Sequence, residues 1–277
     1  MTNLSDRLRI NADLARKILV SFLRDEITRA GLSRAVIGLS GGIDSALSCA
    51  LAVEALGAQN VLAVRMPYKT SSPQSMADAQ LVIEKFNVPN LVVEITPMVD
   101  PLFDHFPDAD GKRRGNAMAR ARMIVLYDQS SAFNGLVIGT GNKTEILLGY
   151  STIFGDAASA LNPLGDLYKT QVRQLAAAVG VPQSIIDKPP TADLWAGQTD
   201  EGELGFTYER VDQLLYLIVD QRYSRDEAVA AGFEPSFVDR VLAAVRRNQF
   251  KRMPPIVAKL SNRTVGYDFL YLRDWGT

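Results

Sequence analysis

Short apolar runs alternating with helical patterns are the strongest constraint in this sequence. Residues 35–39 (AVIGL), 61–66 (VLAVRM) and 91–95 (LVVEI) are rich in β-branched side chains and too short for helices, and the patterns between them, 44–56 and 75–86, have helical spacing. A fourth unit joins a helix over 116–131 to a strand over 136–139. This order predicts right-handed crossovers and an α/β fold, a doubly wound, Rossmann-like parallel sheet with ligands at the carboxyl ends of its strands. Ahead of it, Leu14, Ile18, Val20, Phe22, Leu23 and Ile27 predict an amphipathic helix over 12–30, stopped by Gly31. Beyond Gly155 the pattern is helical, over 169–179, 208–220, 225–231 and 235–250. One domain over 1–277 is expected, with an α/β core (12–155) and a helical, loop-rich C-terminal portion (156–277). The stretches 97–115 and 189–205 lack periodicity and read as long loops, which in compact domains are usually lids or disordered.

The balance of 30 Lys+Arg against 31 Asp+Glu leaves no broad basic surface for a nucleic acid. No apolar run approaches the ~20 residues that span a bilayer, so no membrane association is expected. A single cysteine, Cys49, excludes an intrachain disulfide and a thiolate zinc cluster, which fits a reducing cytoplasm. The lone histidine, His105, receives no role.

The strongest local signal lies where the first strand meets the next helix: Gly38, Leu39, Ser40, Gly41, Gly42, Ile43, Asp44 and Ser45. Adjacent glycines let backbone N–H groups approach an anion, the helix N-terminus adds its dipole, and two serines offer hydroxyls, so phosphate is the natural ligand. No Lys-Ser/Thr pair closes the turn, which is therefore not a Walker A loop. A carboxylate, Asp44, stands there instead, and beside phosphates it implies an intervening Mg²⁺. A plain capped turn is the alternative on turn chemistry alone.

Ser40 to Ser45 (SGGIDS) after a strand resembles the SGGxDS loop of the N-type ATP pyrophosphatases, whose fold is adenine nucleotide alpha hydrolase-like. Further segments, in order, resemble the NAD synthetase family within that group: RGN at 114–116, ARARM at 119–123, GTGNKTE at 139–145, GD at 155–156, DLYKT at 166–170, KPPTADL at 188–194, GQTDE at 197–201 and KRMP at 251–254. The resemblance implies a ligase in which the carboxylate of deamido-NAD attacks the α-phosphorus of ATP. Pyrophosphate leaves, and ammonia displaces AMP to give NAD.

By that resemblance Asp44 and Glu145 hold Mg²⁺, Lys169 neutralises phosphate, and Thr140 and Thr191 contact ATP along with the turn 38–45. Asn116, Arg120, Glu145 and Lys251 serve the deamido-NAD site, and Asp156 deprotonates or orients ammonia. Arg122 reads as a structural ion pair. Trp195 and Phe206 flank an acidic segment, 198–203, expected to close as a lid over the adenylate. The resemblance also implies a homodimer, to which the helix over 12–30 could contribute.

Ile153, Ala160 and Phe250 depart from the short ammonia-dependent bacterial enzymes, which place lysine, aspartate and histidine there. The segments 150–156 and 247–252 look more like the synthetase part of the glutamine-dependent enzymes. The first strand begins at residue 35 and the sole cysteine follows the turn, so no glutaminase is expected in the chain. Free ammonia, or ammonia from a separate glutaminase subunit, is the expected nitrogen source. Another N-type ATP pyrophosphatase with a different acceptor is the alternative function.

Overall fold

The computed structural model describes residues 4–191, 193, 199–253 and 255–269. Four parallel strands, β1 (Ala35–Gly38), β2 (Val61–Arg65), β3 (Asn90–Val92) and β4 (Leu136–Ile138), form one sheet in the order β3-β2-β1-β4. The chain steps outward from β1 to β3 and then returns to the other side of β1. The switch point therefore lies between β1 and β4.

Period-two alternation splits the sheet between two cores. Ala35, Ile37, Val61 and Ala63 pack with Leu23, Ile27, Leu47, Leu51, Val82, Val172 and Leu175 on one face. Val36 and Val64 pack with Val99, Phe103, Met118, Ala121 and Val125 on the other. Helices thus cover both faces, as the runs of β-branched residues require of a buried parallel sheet. A third cluster, from Tyr168 and Leu148 through Val211, Leu215 and Phe237 to Val241, joins the C-terminal helices.

The opening helix is Ala12–Arg29, capped by the Asn11 side chain, with Gly31 at φ +75° beyond its end. Ile43–Leu56 ends at Gly57, and Pro73–Phe86 ends on Asn87 in the left-handed conformation that asparagine tolerates. Two expectations change. The stretch 97–115 is mostly helical: Thr96–Asp104, then the first turn of the helix Gly111–Phe133. Its period is hidden because Pro101, Gly111 and Gly115 lower propensity and residues 112–114 are polar; the Asp110 side chain, accepting from the Arg113 N–H at 2.7 Å, starts the helix instead. The third strand is shorter than 91–95 and starts one residue earlier, because it is an edge strand paired only with β2.

In the C-terminal portion the helices are Lys169–Ala178, Tyr208–Leu215 with a π-helical turn Tyr216–Asp220, Arg225–Ala230 and Pro235–Arg247. Lys143–Leu148 is also helical and was invisible to periodicity at six residues. Leu161 bridges to Ile138 as one further parallel contact beside β4. Among the described residues no helix is long and apolar enough to cross a membrane.

Candidate functional site

The phosphate-type turn leaves the sheet at the carboxyl end of β1. Gly41 has φ +79°, and a Cβ there would lie 2.2 Å from the Ser75 carbonyl oxygen, so only glycine fits. Gly42 caps Ile43–Leu56 without a side chain of its own. The serines hold the turn: Ser45 Oγ donates to Gly42 O at 2.9 Å and accepts from the Ser40 N–H at 3.2 Å, while Ser40 Oγ accepts from the Gly42 N–H at 3.3 Å. Asp44 follows in the helix's first turn.

Across the switch point the loop after β4 starts Lys143–Leu148 with a capping box between Asn142 and Glu145. Asn142 also donates through Nδ2 to Asp44 Oδ1 at 2.9 Å, tying the two loops together. Between the carboxylates stands Lys169, 2% exposed, whose Nζ is 2.5 Å from Asp44 Oδ2 and 3.2 Å from Glu145 Oε1. Three residues far apart in sequence meet here.

Electrostatics in this group are strained by burial. Burial pushes the Glu145 carboxyl up to about 7; the Lys169 ammonium opposes this, and Asp44 and Asp200 add to it. For Lys169 burial works downward, but Asp44 and Glu145 outweigh it and hold the ammonium above its ordinary range.

Lys169 is fixed from behind by residues that motif reading passed over. Its backbone N–H donates to Thr144 Oγ1 at 3.0 Å; that hydroxyl donates to Asp212 Oδ1, and Asp212 Oδ2 accepts from the Thr170 N–H at 2.8 Å. Asp212 is fully buried, and nothing in its local sequence marks it. Asn142 was legible, since Asn-x-x-Glu is a capping-box pattern. The Tyr208 ring lies 5.2 Å from Lys169 Nζ, and its hydroxyl donates to Asp200 Oδ2 at 3.0 Å.

The residues expected at the dinucleotide site converge on the loop 149–156. Thr152 Oγ1 donates to Asn116 Oδ1 at 2.7 Å, Arg120 Nη2 donates to Ile153 O at 3.3 Å, and the Thr152 N–H donates to Asp156 Oδ1 at 2.8 Å. Lys251 Nζ donates to Gly149 O at 2.7 Å and Ser151 O at 2.6 Å. A hollow of about 180 Å³, lined by Gly139, Gly141, Glu145, Ser151, Asp156 and Lys251 among others, unites this loop with the Lys169 group. A second hollow, about 290 Å³, is lined by none of these residues but by Phe206, Arg210, Phe237 and neighbours.

Thr140 follows β4 by two positions at the switch point. Thr191 is less direct: its Oγ1 accepts from the Asp193 N–H at 3.1 Å, and the segment is moored to helix Pro73–Phe86, by Asp193 to the Ser72 N–H at 3.0 Å and by Lys188 to Asp78 at 2.8 Å. Of the expected lid, Trp195 and Gln198 lie outside the described residues. Asp200–Leu204 is a short helix whose Asp200 is buried against Tyr208 and Tyr150. The ion pair expected of Arg122 is absent among the described residues: its Nε donates to Met66 O at 3.1 Å, because the helix aims it at the end of β2. Cys49 is fully buried and its thiol is pushed up to about 12 by burial, the state of an inert core residue. His105 sits exposed at the end of Thr96–Asp104.

The chain's likenesses agree with this geometry. The NAD synthase family model matches residues 15–255. The NH(3)-dependent NAD(+) synthetase of Trichlorobacter lovleyi is 61% identical over 98% of this chain and 99% of its own length. Among solved structures, the NMN synthetase of Francisella tularensis aligns with a TM-score of 0.80 at 34% identity, covering 91% of this chain and 100% of that one. The NH3-dependent NAD synthetase of Campylobacter jejuni aligns at 0.77 and 31%, covering 90% and 100%. A glycine turn at the carboxyl end of β1, a buried lysine between two carboxylates and a match over most of the chain together place this protein in the NAD synthase family.

Proposed function

We propose that this chain amidates deamido-NAD with ammonia at the expense of ATP, giving NAD, AMP and pyrophosphate. The observation that carries the reading is Lys169 held between Asp44 and Glu145 at the β1–β4 switch point, opening on one hollow with Asp156 and Lys251. A carboxylate becomes an acceptor for ammonia only when one oxygen is made a good leaving group, and adenylation does that. The turn 38–45 offers backbone N–H groups and a helix N-terminus to the ATP phosphates, with Thr140 and Thr191 as further ATP contacts. Lys169 supplies the positive charge that a departing pyrophosphate needs. Asn116, Arg120 and Lys251 bind the dinucleotide through the loop 149–156. Asp156, on the rim of the same hollow, orients ammonia or takes its proton.

Asp44 and Glu145 fit Mg²⁺: they are hard oxygen donors that already share one cation, and among the described residues no third metal-ligating side chain joins them. Mg²⁺, when bound, would screen the phosphates from these carboxylates. The chain is read as a single domain acting in the cytoplasm. Its nitrogen source is free ammonia or a separate glutaminase, since a buried, inert Cys49 cannot attack glutamine. Purified protein given ATP and ammonium salt is expected to release pyrophosphate with deamido-NAD, and to do so far more slowly with nicotinate mononucleotide, xanthosine monophosphate or citrulline. Equal turnover with another acceptor, or robust synthesis from glutamine by the chain alone, overturns the reading.

A homodimer is part of the proposal. Leu14 and Ile18, 54% and 58% exposed, lie on the helix whose opposite side buries Leu23 and Ile27, so they leave an apolar strip for a second copy. Sedimentation is expected to give twice the chain mass, and Leu14→Lys with Ile18→Lys to shift it toward one; a parent protein that sediments as a single chain overturns this.

A further inference from the structure

Arg122 has no task in the amidation scheme above, yet it lies on the same helix as Asn116 and Arg120 and reaches the carbonyl just past β2. It lies on the helix Gly111–Phe133, two residues beyond Arg120, and its Nε donates to Met66 O, just past the end of β2. That places the guanidinium beside the entry to the phosphate turn. A Cβ on Gly38 would meet Met66 Cε at 3.1 Å and Leu126 Cδ1 at 3.3 Å, and Leu126 is one helical turn on from Arg122.

The charges of Asp193 and Asp156 act on the guanidinium, but among the described residues neither carboxylate forms an ion pair with it. Asp193 is held by the Ser72 N–H, at the start of the helix that packs on Gly41, and Asp156 by the Thr152 N–H in the dinucleotide loop. Arg122 thus sits between the ATP side and the acceptor side of the site. A guanidinium has five N–H donors, and among the described residues only one finds a protein acceptor. Arg122 is part-buried, and that burial lowers its pKa against the opposing pull of Asp193 and Asp156. A part-buried charge with four donors unmatched by protein acceptors gains from an anion that completes it.

We infer that the open edge of Arg122 clamps phosphate oxygens at the junction of the nucleotide and dinucleotide sites. The chemistry recognised is a phosphate diester or phosphoryl oxyanion, which a planar fork grips in two places and a lysine in one. ATP and deamido-NAD both carry it. This rests on the amidation reading, which the parent protein's own turnover tests separately.

Arg122→Gln and Arg122→Lys decide it through the KM for ATP and for deamido-NAD, measured separately, and the melting-temperature rise produced by each compound alone. The KM for one of the two is expected to rise about tenfold or more in both variants, with its thermal shift reduced and kcat less affected. The compound whose constant moves is the source of the phosphate. Melting of Arg122→Gln without ligand should stay level or rise, since it removes a charge that no protein carboxylate among the described residues pairs. If Arg122→Gln is too unstable to assay, Arg122→Lys, which keeps a donor for Met66 O, carries the test. Both KM values within about twofold of the parent would show that Arg122 merely props the Met66 carbonyl, and would overturn the inference.

Discussion

Lys169→Met is expected to lose turnover by about 10³-fold or more and to melt well below the parent protein at pH 8. The turnover loss follows from removing the positive charge nearest the phosphate turn. The stability loss follows from burial: methionine fills the space, but Asp44 and Glu145 are left facing each other without the ammonium that touches both. Removing one partner of a buried ion pair costs about 3–5 kcal/mol. Adding Mg²⁺ should raise the melting temperature of this variant more than that of the parent, because two hard donors have lost their resident cation.

Glu145→Gln separates charge from structure in the same group. The Glu145 carboxyl sits near 7, above its ordinary 4.5, so the fold favours its protonated form. The stability it contributes is complete below about pH 4.5 and is lost as pH rises through 7. Glutamine stays neutral throughout, so the variant's melting temperature should fall less than the parent's between pH 5 and pH 8 while its turnover drops. A Lys169→Met enzyme that keeps parental turnover would end the catalytic reading of this group.

Gly41→Ala is expected to abolish productive ATP binding and to destabilise the protein by about 2 kcal/mol or more, whereas Gly42→Ala should leave its melting temperature nearly unchanged. The neighbours look alike in sequence and differ in space. At Gly41 the left-handed backbone disfavours any side chain, and the new methyl would meet the Ser75 carbonyl oxygen at 2.2 Å. Backbone at a helix start cannot yield as a flexible side chain can. At Gly42 the backbone is extended, and a methyl would meet only Ser40 Oγ, at 3.4 Å. Calorimetry with and without ATP checks the pair, and equal melting and equal ATP response would refute the argument.

Much of this was readable in one dimension because the relevant physics is local. Short β-branched runs separated by helical periods specify strands of a buried parallel sheet, and SGGIDS carries its own turn geometry. The helix within 97–115 was missed because Pro101 and the glycines mask its period, and Lys143–Leu148 because six residues make too short a pattern. At the site, Asp44, Glu145 and Lys169 were nameable from motifs, but Asp212, Tyr208 and Asp200 were not. Their importance comes from burial beside Lys169, and no spacing along the chain encodes that.

Sequence alone determined the α/β class and the glycine turn after β1, and it named Lys169, Asp44 and Glu145 as candidates. Only the tertiary structure decided that one ammonium answers both acids, that burial raises the Glu145 carboxyl, and that Arg122 donates to the Met66 carbonyl and, among the described residues, forms no ion pair. Local pattern fixes backbone geometry, whereas the charge state of a buried group depends on which distant side chains the fold brings within a few ångströms and how much water it removes.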